Sequence, residues 1–185
     1  MKYFAKFLLR LLGWRCVYEG MPNEPKCIII GVPHTSSWDF VISWLYYTSA
    51  GRAANVMVKK EFFFWPIGIL MRKMGALPID RSRGANIIRQ TIQKIKENDH
   101  VHLAIAPEGT REHTVRWKAG FHMIARETGI PVYLGSFDWG RKVITTGERF
   151  ELTDDVTADI NRMKDYYRAK GIKGKHPELF CTDHQ

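Results

Sequence analysis

The chain has 185 residues, enough for one domain with a sizeable core. Apolar residues make up 45% and charged residues 25%, ordinary proportions for a globular protein. A total of 28 Lys and Arg against 19 Asp and Glu leaves a net charge of +9, a field that attracts nucleic acid, an anionic bilayer surface or phosphate-bearing substrates.

No apolar run reaches the roughly 20 residues a membrane-spanning helix needs. Lys6 and Arg10 interrupt the first apolar stretch, so it does not read as a signal peptide. The cysteines Cys16, Cys27 and Cys181 are odd in number and lack metal-ligand spacing, which fits a reducing intracellular compartment. The histidines do not cluster as ligands either, and no metal site is expected.

Residues 1–14 have helical periodicity, with Phe4, Phe7, Leu8, Leu11 and Leu12 on one stripe and Lys2, Lys6 and Arg10 on another. A basic stripe beside an apolar one suits a helix lying in a membrane interface. It also suits a helix packed on its own domain, and one helix can do both. Strands are expected at 16–19 and 27–33, and a helix from Trp38 to Ser49 with Ser36 or Ser37 as its cap. A short strand follows at 55–59. An apolar helix, broken at Pro66, covers 61–74. Its Phe62-Phe63-Phe64-Trp65 run would line an acyl channel, face lipid or simply be buried. Then come a strand at 76–80, a helix at 85–97, a strand at 101–106, a helix at 118–128 stopped by Gly129, and a strand from 131. The last helix runs from about Thr153 to Lys170, with Asp154 and Asp155 at its positive end. From Gly171 the chain is polar and reads as a mobile tail. This is an α/β pattern: a single domain with a mostly parallel central sheet flanked by helices and an N-terminal amphipathic helix. Residues 1–15 form the interface helix and 16–185 the main domain.

In open α/β sheets, sites form at the carboxyl ends of strands. His34 follows the strand 27–33, Lys59 ends 55–59, Arg81 follows 76–80, and Glu108-Gly109-Thr110-Arg111 follows 101–106. His34 with Asp39 five positions on can act as a general base and its orienting carboxylate. The alternative for this pair is an ordinary surface loop. The Gly-x-Ser-x-Gly elbow of serine hydrolases is absent. No oxyanion donor is identifiable beyond backbone N–H groups near residue 108. Lys59 and Lys60 would otherwise be a solvated strand end, and Glu108 with Arg111 an ion pair across their turn.

Four ordered blocks carry a resemblance. The first is His34-x-x-x-x-Asp39. The second is Lys59-Lys60-Glu61 with Pro66, Gly68, Gly75 and Ile79-Asp80-Arg81. The third is Pro107-Glu108-Gly109-Thr110-Arg111, followed by Lys118-Ala119-Gly120. The fourth is Ile130-Pro131-Val132, where a second proline usual in this position is replaced by the run Tyr133-Leu134-Gly135-Ser136. Together they resemble the glycerolipid acyltransferase family, whose type member is 1-acylglycerol-3-phosphate acyltransferase. The resemblance implies transfer of a fatty acyl group from a thioester of coenzyme A or acyl carrier protein to a lysophospholipid hydroxyl. It implies no metal or other cofactor. His34 and Asp39 would be catalytic. Lys59 (with Lys60 as fallback), Arg81 and the block Glu108, Gly109, Thr110 and Arg111 would bind substrate, Arg111 and Lys59 holding the acceptor phosphate. The expected location is peripheral, on the cytoplasmic face of an anionic membrane. Competing readings are an acyltransferase for another lyso-lipid such as a lyso-aminolipid, a thioester hydrolase using the same pair, and a non-enzymatic basic protein on nucleic acid or membrane. No nucleic-acid motif is present, and nucleic acid is not an expected partner.

Overall fold

A computed structural model describes residues 1–80 and 84–185, with the side chains of residues 58, 59, 62, 67, 70 and 84–86 set aside. The elements in chain order are α1 (Lys2–Leu11), β1 (Arg15–Val17), β2 (Lys26–Val32), α2 (Trp38–Ala50), β3 (Asn55–Lys59), α3 (Ile67–Lys73), β4 (Ala76–Ile79), α4 (Gly84–Glu97), β5 (Val101–Ile105), α5 (Gly120–Thr128), β6 (Val132–Asp138), β7 (Val143–Thr145), β8 (Arg149–Phe150) and α6 (Val156–Ala169). Among the described residues the strands form one sheet in the order β1-β7-β6-β2-β5-β3-β4, with β8 also on β6. The strands β6, β2, β5, β3 and β4 run parallel. The strands β7 and β8 return antiparallel along the free edge of β6.

The alternation along β2 explains the layering. Ile28, Ile30 and Val32 point to one face and pack with Ile92 and Ile95 of α4, Phe121 and Ile124 of α5, and Ile160 and Tyr167 of α6. Cys27 and Ile29 point to the other face, where α1 and α2 cover them through Leu9, Ile42, Leu45 and Tyr46. A strand buried on both faces needs the unbroken apolar run that residues 27–30 supply. Each fully buried isoleucine contributes about 1.5–3 kcal/mol relative to exposure.

The helix α1 serves two surfaces. Ala5 and Leu9 are buried against α2, while Tyr3, Phe4, Phe7 and Leu11 face solvent. Lys2 reaches the C-terminal turn of α2 at Gly51, and Trp14 packs on Trp139 beyond the end of β6. The two helices are therefore antiparallel, and α1 ends at the rim where the sheet strands end. No helix among the described residues is long and apolar enough to cross a membrane.

One expectation holds and two change. The segment 61–74 is broken at Pro66 as expected, into a single 3-10 turn, Lys60–Phe62, and α3, because the proline ring cannot continue the hydrogen-bond ladder. In that region Phe64, Trp65 and Ile69 are exposed. The final helix starts at Val156, one residue after Asp155, whose side chain accepts from the backbone N–H groups of Thr157 and Ala158. The polar segment beyond Gly171 is anchored. Gly174 is buried so closely on Thr35 that a Cβ would stand 2.7 Å from its Oγ1, and the His176 N–H donates to the same oxygen at 3.2 Å.

Candidate active site

The turn between β2 and α2 presents His34. Its Nδ1 lies 3.3 Å from Asp39 Oδ2. The Asp39 side chain is 1% exposed and His34 is 31% exposed, so the carboxylate is fixed inside and the imidazole faces out. With the Nδ1 proton directed at the carboxylate, Nε2 is left as an acceptor toward solvent. The burial of Asp39 is compensated by donors on both oxygens. The Ser36 N–H donates to Oδ2 at 2.8 Å, and the Trp139 indole N–H donates to Oδ1 at 2.8 Å. A buried carboxylate without such donors would cost several kcal/mol. Ser37 is the N-cap position of α2 but makes no side-chain cap; the Ser36 hydroxyl accepts weakly from the Trp38 N–H at 3.3 Å.

The second element is the turn after β5, the neighbour of β2 in the sheet. Glu108 is 5% exposed, and its Oε2 accepts the His34 backbone N–H at 2.9 Å. Burial pushes its carboxyl up to about 8, the nearby Asp39 charge adds to the rise, and the His34 N–H opposes it. Glu108 therefore clamps the backbone of the histidine turn from 74 residues away. Arg111 turns the other way, and its guanidinium donates to the Ser37 hydroxyl. The alternative of a Glu108–Arg111 ion pair is thus replaced by two separate bonds, both to the turn that carries His34.

Gly109 has φ +64°, and a Cβ there would lie 2.7 Å from the Lys118 side chain. Glycine meets both demands, the left-handed backbone and the close approach of Lys118. The Thr110 hydroxyl accepts the Glu112 N–H at 3.1 Å. The stretch that follows is held from beneath by Lys164, fully buried on α6, whose ammonium donates to Val115 O and, at 2.8 Å, to Asp183 O.

Lys59 ends β3, and its side chain is outside the described ones. Arg81 lies outside the described residues altogether. Lys60 is exposed and its ammonium is 2.5 Å from Asp80 Oδ2. Thus His34, Asp39, Glu108, Gly109, Thr110 and Arg111 come together at one rim, while Lys60 pairs across the ends of β3 and β4. Among the described residues no group of three or more His, Cys, Asp or Glu could hold a metal ion.

Two residues at this rim were missed. Trp139 follows β6 directly, and the same strand-end rule that selected His34 would have selected it. Lys175 belongs to the segment expected to be mobile. Its ammonium sits 5.4 Å from the Trp38 ring centroid and 5.2 Å from that of Trp139, and nothing local in the sequence points to that position.

Beside the rim, an apolar cleft runs between α2 and the sheet. Phe40 and Trp44 line it from α2, Ile29 and Gly31 from β2, and Ala104 from β5. Neither His34 nor Asp39 lines it.

Comparison with curated proteins finds no match. Among solved structures, this fold is similar to that of the 1-acyl-sn-glycerophosphate (LPA) acyltransferase PlsC from Thermotoga maritima. The TM-score is 0.65 at 19% identity, over 91% of this chain and 76% of that one. A family model described as Acyltransferase matches residues 16–134, which contain every element of the histidine and glutamate turns. The chain belongs to the acyltransferase family.

Proposed function

We propose that this enzyme transfers a fatty acyl group from an acyl thioester, carried by coenzyme A or an acyl carrier protein, to the hydroxyl of a lysophospholipid, 1-acyl-glycerol-3-phosphate first among them. The observation that carries the reading is the His34–Asp39 pair, with its exposed imidazole and buried carboxylate, on a turn that Glu108 and Arg111 both hold. The acceptor O–H gives its proton to His34 Nε2 as its oxygen bonds to the thioester carbonyl carbon. The tetrahedral intermediate then collapses, the C–S bond breaks, and the imidazolium returns the proton to the leaving thiolate. Ester and free thiol are the products. No metal or other cofactor takes part.

Arg111 offers a planar guanidinium at this turn, the group suited to a phosphate. With Lys59 and Arg81 as further cations it would hold the acceptor head group. The exposed face of α1, with Lys2, Lys6 and Arg10 beside Phe4, Phe7 and Leu11, suits a peripheral position on an anionic membrane, on its cytoplasmic face. In that arrangement residues 1–15 form the interface helix and 16–185 the acyltransferase domain.

The test is lipid mass spectrometry after incubation with acyl thioesters and a mixture of lysolipids, including a lyso-aminolipid. The expected result is an acylated lysophosphatidic acid that disappears with folded His34→Ala. Acylation of a different lyso-lipid would correct the acceptor. Free fatty acid released regardless of acceptor would replace transfer with hydrolysis. Normal turnover by His34→Ala would refute the mechanism.

A further inference from the structure

We propose that Trp139 is a positioning residue for the His34–Asp39 pair, setting the orientation of the carboxylate through its indole N–H. Trp139 lies beyond residues 16–134, the part of the chain that the family model matches. The two oxygens of Asp39 have separate duties. Oδ2 faces His34 Nδ1 at 3.3 Å and accepts the Ser36 N–H at 2.8 Å. Oδ1 accepts Trp139 Nε1–H at 2.8 Å. A carboxylate held only at one oxygen can turn about its Cβ–Cγ bond, a broad torsion. Held at both, it has one plane, and that plane aims Oδ2 at the imidazole. The Asp39 side chain is 1% exposed, so water cannot readily replace a lost donor, and the buried oxygen would seek another by rotating.

The indole is itself held from three directions. The Trp14 ring meets it edge-on, with centroids 5.0 Å apart and planes at 84°. Its backbone N–H donates to Lys173 O at 2.9 Å. Lys175 places its ammonium 5.2 Å from the ring centroid. A cation over an indole face draws on its π electrons, which makes the ring N–H a better donor. The end of α1, the strand β6 and the segment 173–175 thus converge on one hydrogen bond to Asp39. A tryptophan placed only for packing would need a partner for its N–H, but that partner would not have to be the carboxylate of the histidine pair.

The titratable and charged groups around the pair are Glu108, which takes the His34 backbone N–H and stays protonated below about pH 8, Arg111 on Ser37, Lys175 over Trp139 and Trp38, and the Asp138–Arg141 ion pair beside Trp139. Removing the indole donor leaves the Asp39 carboxylate less stabilised and so a stronger partner for a protonated imidazole. The acidic limb of the pH–rate profile therefore moves to higher pH.

The experiment compares Trp139→Phe with the unsubstituted full chain. The activity arm rests on the acyl-transfer reading; the NMR arm does not. The variant keeps an aromatic ring beside Trp14 and Lys175 but loses the N–H together with part of the bicyclic ring, so the pH limb and the NMR arm, which packing loss alone does not move, carry the decision. The expected result is a kcat lower by about tenfold on the pH plateau, equivalent to about 1.4 kcal/mol, with KM for the acyl thioester unchanged and the acidic limb displaced upward. A folded Trp139→Phe with kcat within twofold and an unmoved limb would overturn the proposal. In the unsubstituted chain, labelled with ¹⁵N-tryptophan and ¹⁵N-histidine, the Trp139 indole resonance should titrate with the same midpoint as His34. The midpoint should persist in Glu108→Gln, which removes the other carboxyl touching this turn. An indole resonance that ignores the His34 titration overturns the proposal even if Trp139→Phe fails to fold or the substrate is not a lysolipid.

Discussion

Replacing Glu108 by Gln should make the folded chain more stable, by a margin that grows as pH rises from about 4.5 to about 8. The glutamate carboxyl is buried beside Asp39 and is pushed up from the ordinary 4.5 to about 8. Below pH 4.5 the folded and unfolded chains both hold this proton, so the group contributes no pH dependence. Between 4.5 and about 8 the unfolded chain releases the proton and the folded chain keeps it. The unfolded state then binds fewer protons, and stability falls as pH rises until the folded carboxyl also ionises. A tenfold change in proton affinity is about 1.4 kcal/mol, which caps the loss at roughly 5 kcal/mol. Relaxation and water entry around the ionised carboxylate reduce it, so about 2–3 kcal/mol is expected at pH 9. The glutamine amide in Glu108→Gln would keep a carbonyl acceptor for the His34 N–H and carry no charge at any pH. Thermal melts of the two proteins from pH 5 to pH 9 read the difference directly, because every other titrating group is common to both. The variant should melt about 5–10 °C higher at pH 9, and the gap should close toward pH 5. A gap that is constant over this range, or a variant less stable at pH 9, would show that Glu108 carries its charge without penalty and that its burial is not the controlling fact.

Arg111→Ala should weaken use of a phosphate-bearing lysolipid by about tenfold or more while affecting a neutral lysolipid less, and Arg111→Lys should restore only part of it because a point charge lacks the planar fork. Equal losses on both acceptors would assign Arg111 to holding the Ser37 turn instead. On α1, replacing Phe4, Phe7 and Leu11 together by serine leaves the buried Ala5 and Leu9 in place. Each large apolar side chain fully buried is worth about 1.5–3 kcal/mol, so even partial insertion by three of them predicts a roughly 10- to 100-fold weaker partition onto anionic vesicles in a flotation assay. Unchanged partition would remove this face from the membrane reading.

The parallel sheet was legible because its strands are buried on both faces and so appear as uninterrupted Val/Ile runs, as in residues 27–30. Helices alternating with those runs dictated crossovers. The strands β7 and β8 were not legible: at three and two residues they are too short for a period, and they exist because β6 has an edge to pair. The histidine and glutamate turns were legible as motifs at strand ends, but the direction each side chain takes was not. Glu108 could be expected to meet Arg111, two turn residues of opposite charge. Its contact with the His34 N–H instead depends on β5 lying beside β2 in register, with Ile30 opposite Ile105, a pairing no local pattern encodes. The segment beyond Gly171 read as a mobile tail because its composition is polar. Its order comes from one buried glycine on Thr35 and from backbone bonds, which composition does not report.

These differences share a cause that bears on how the site is built. The residues that would perform the chemistry lie on two short turns, and each turn is visible in the sequence. What holds them in place arrives from far along the chain: Glu108 from 74 residues after His34, Trp139 from 100 residues after Asp39, and Thr35's partner His176 from 141 residues on. A carboxylate as buried as Asp39 is tolerable only with donors already in position, so those distant groups must be assembled before the pair can be ionised and oriented. Disturbing the end of α1 at Trp14, the segment 173–176 or the β6 terminus should therefore reach the same carboxylate, although none of them lies within the matched family region. The reacting pair is local in sequence, and its geometry is a property of the whole fold.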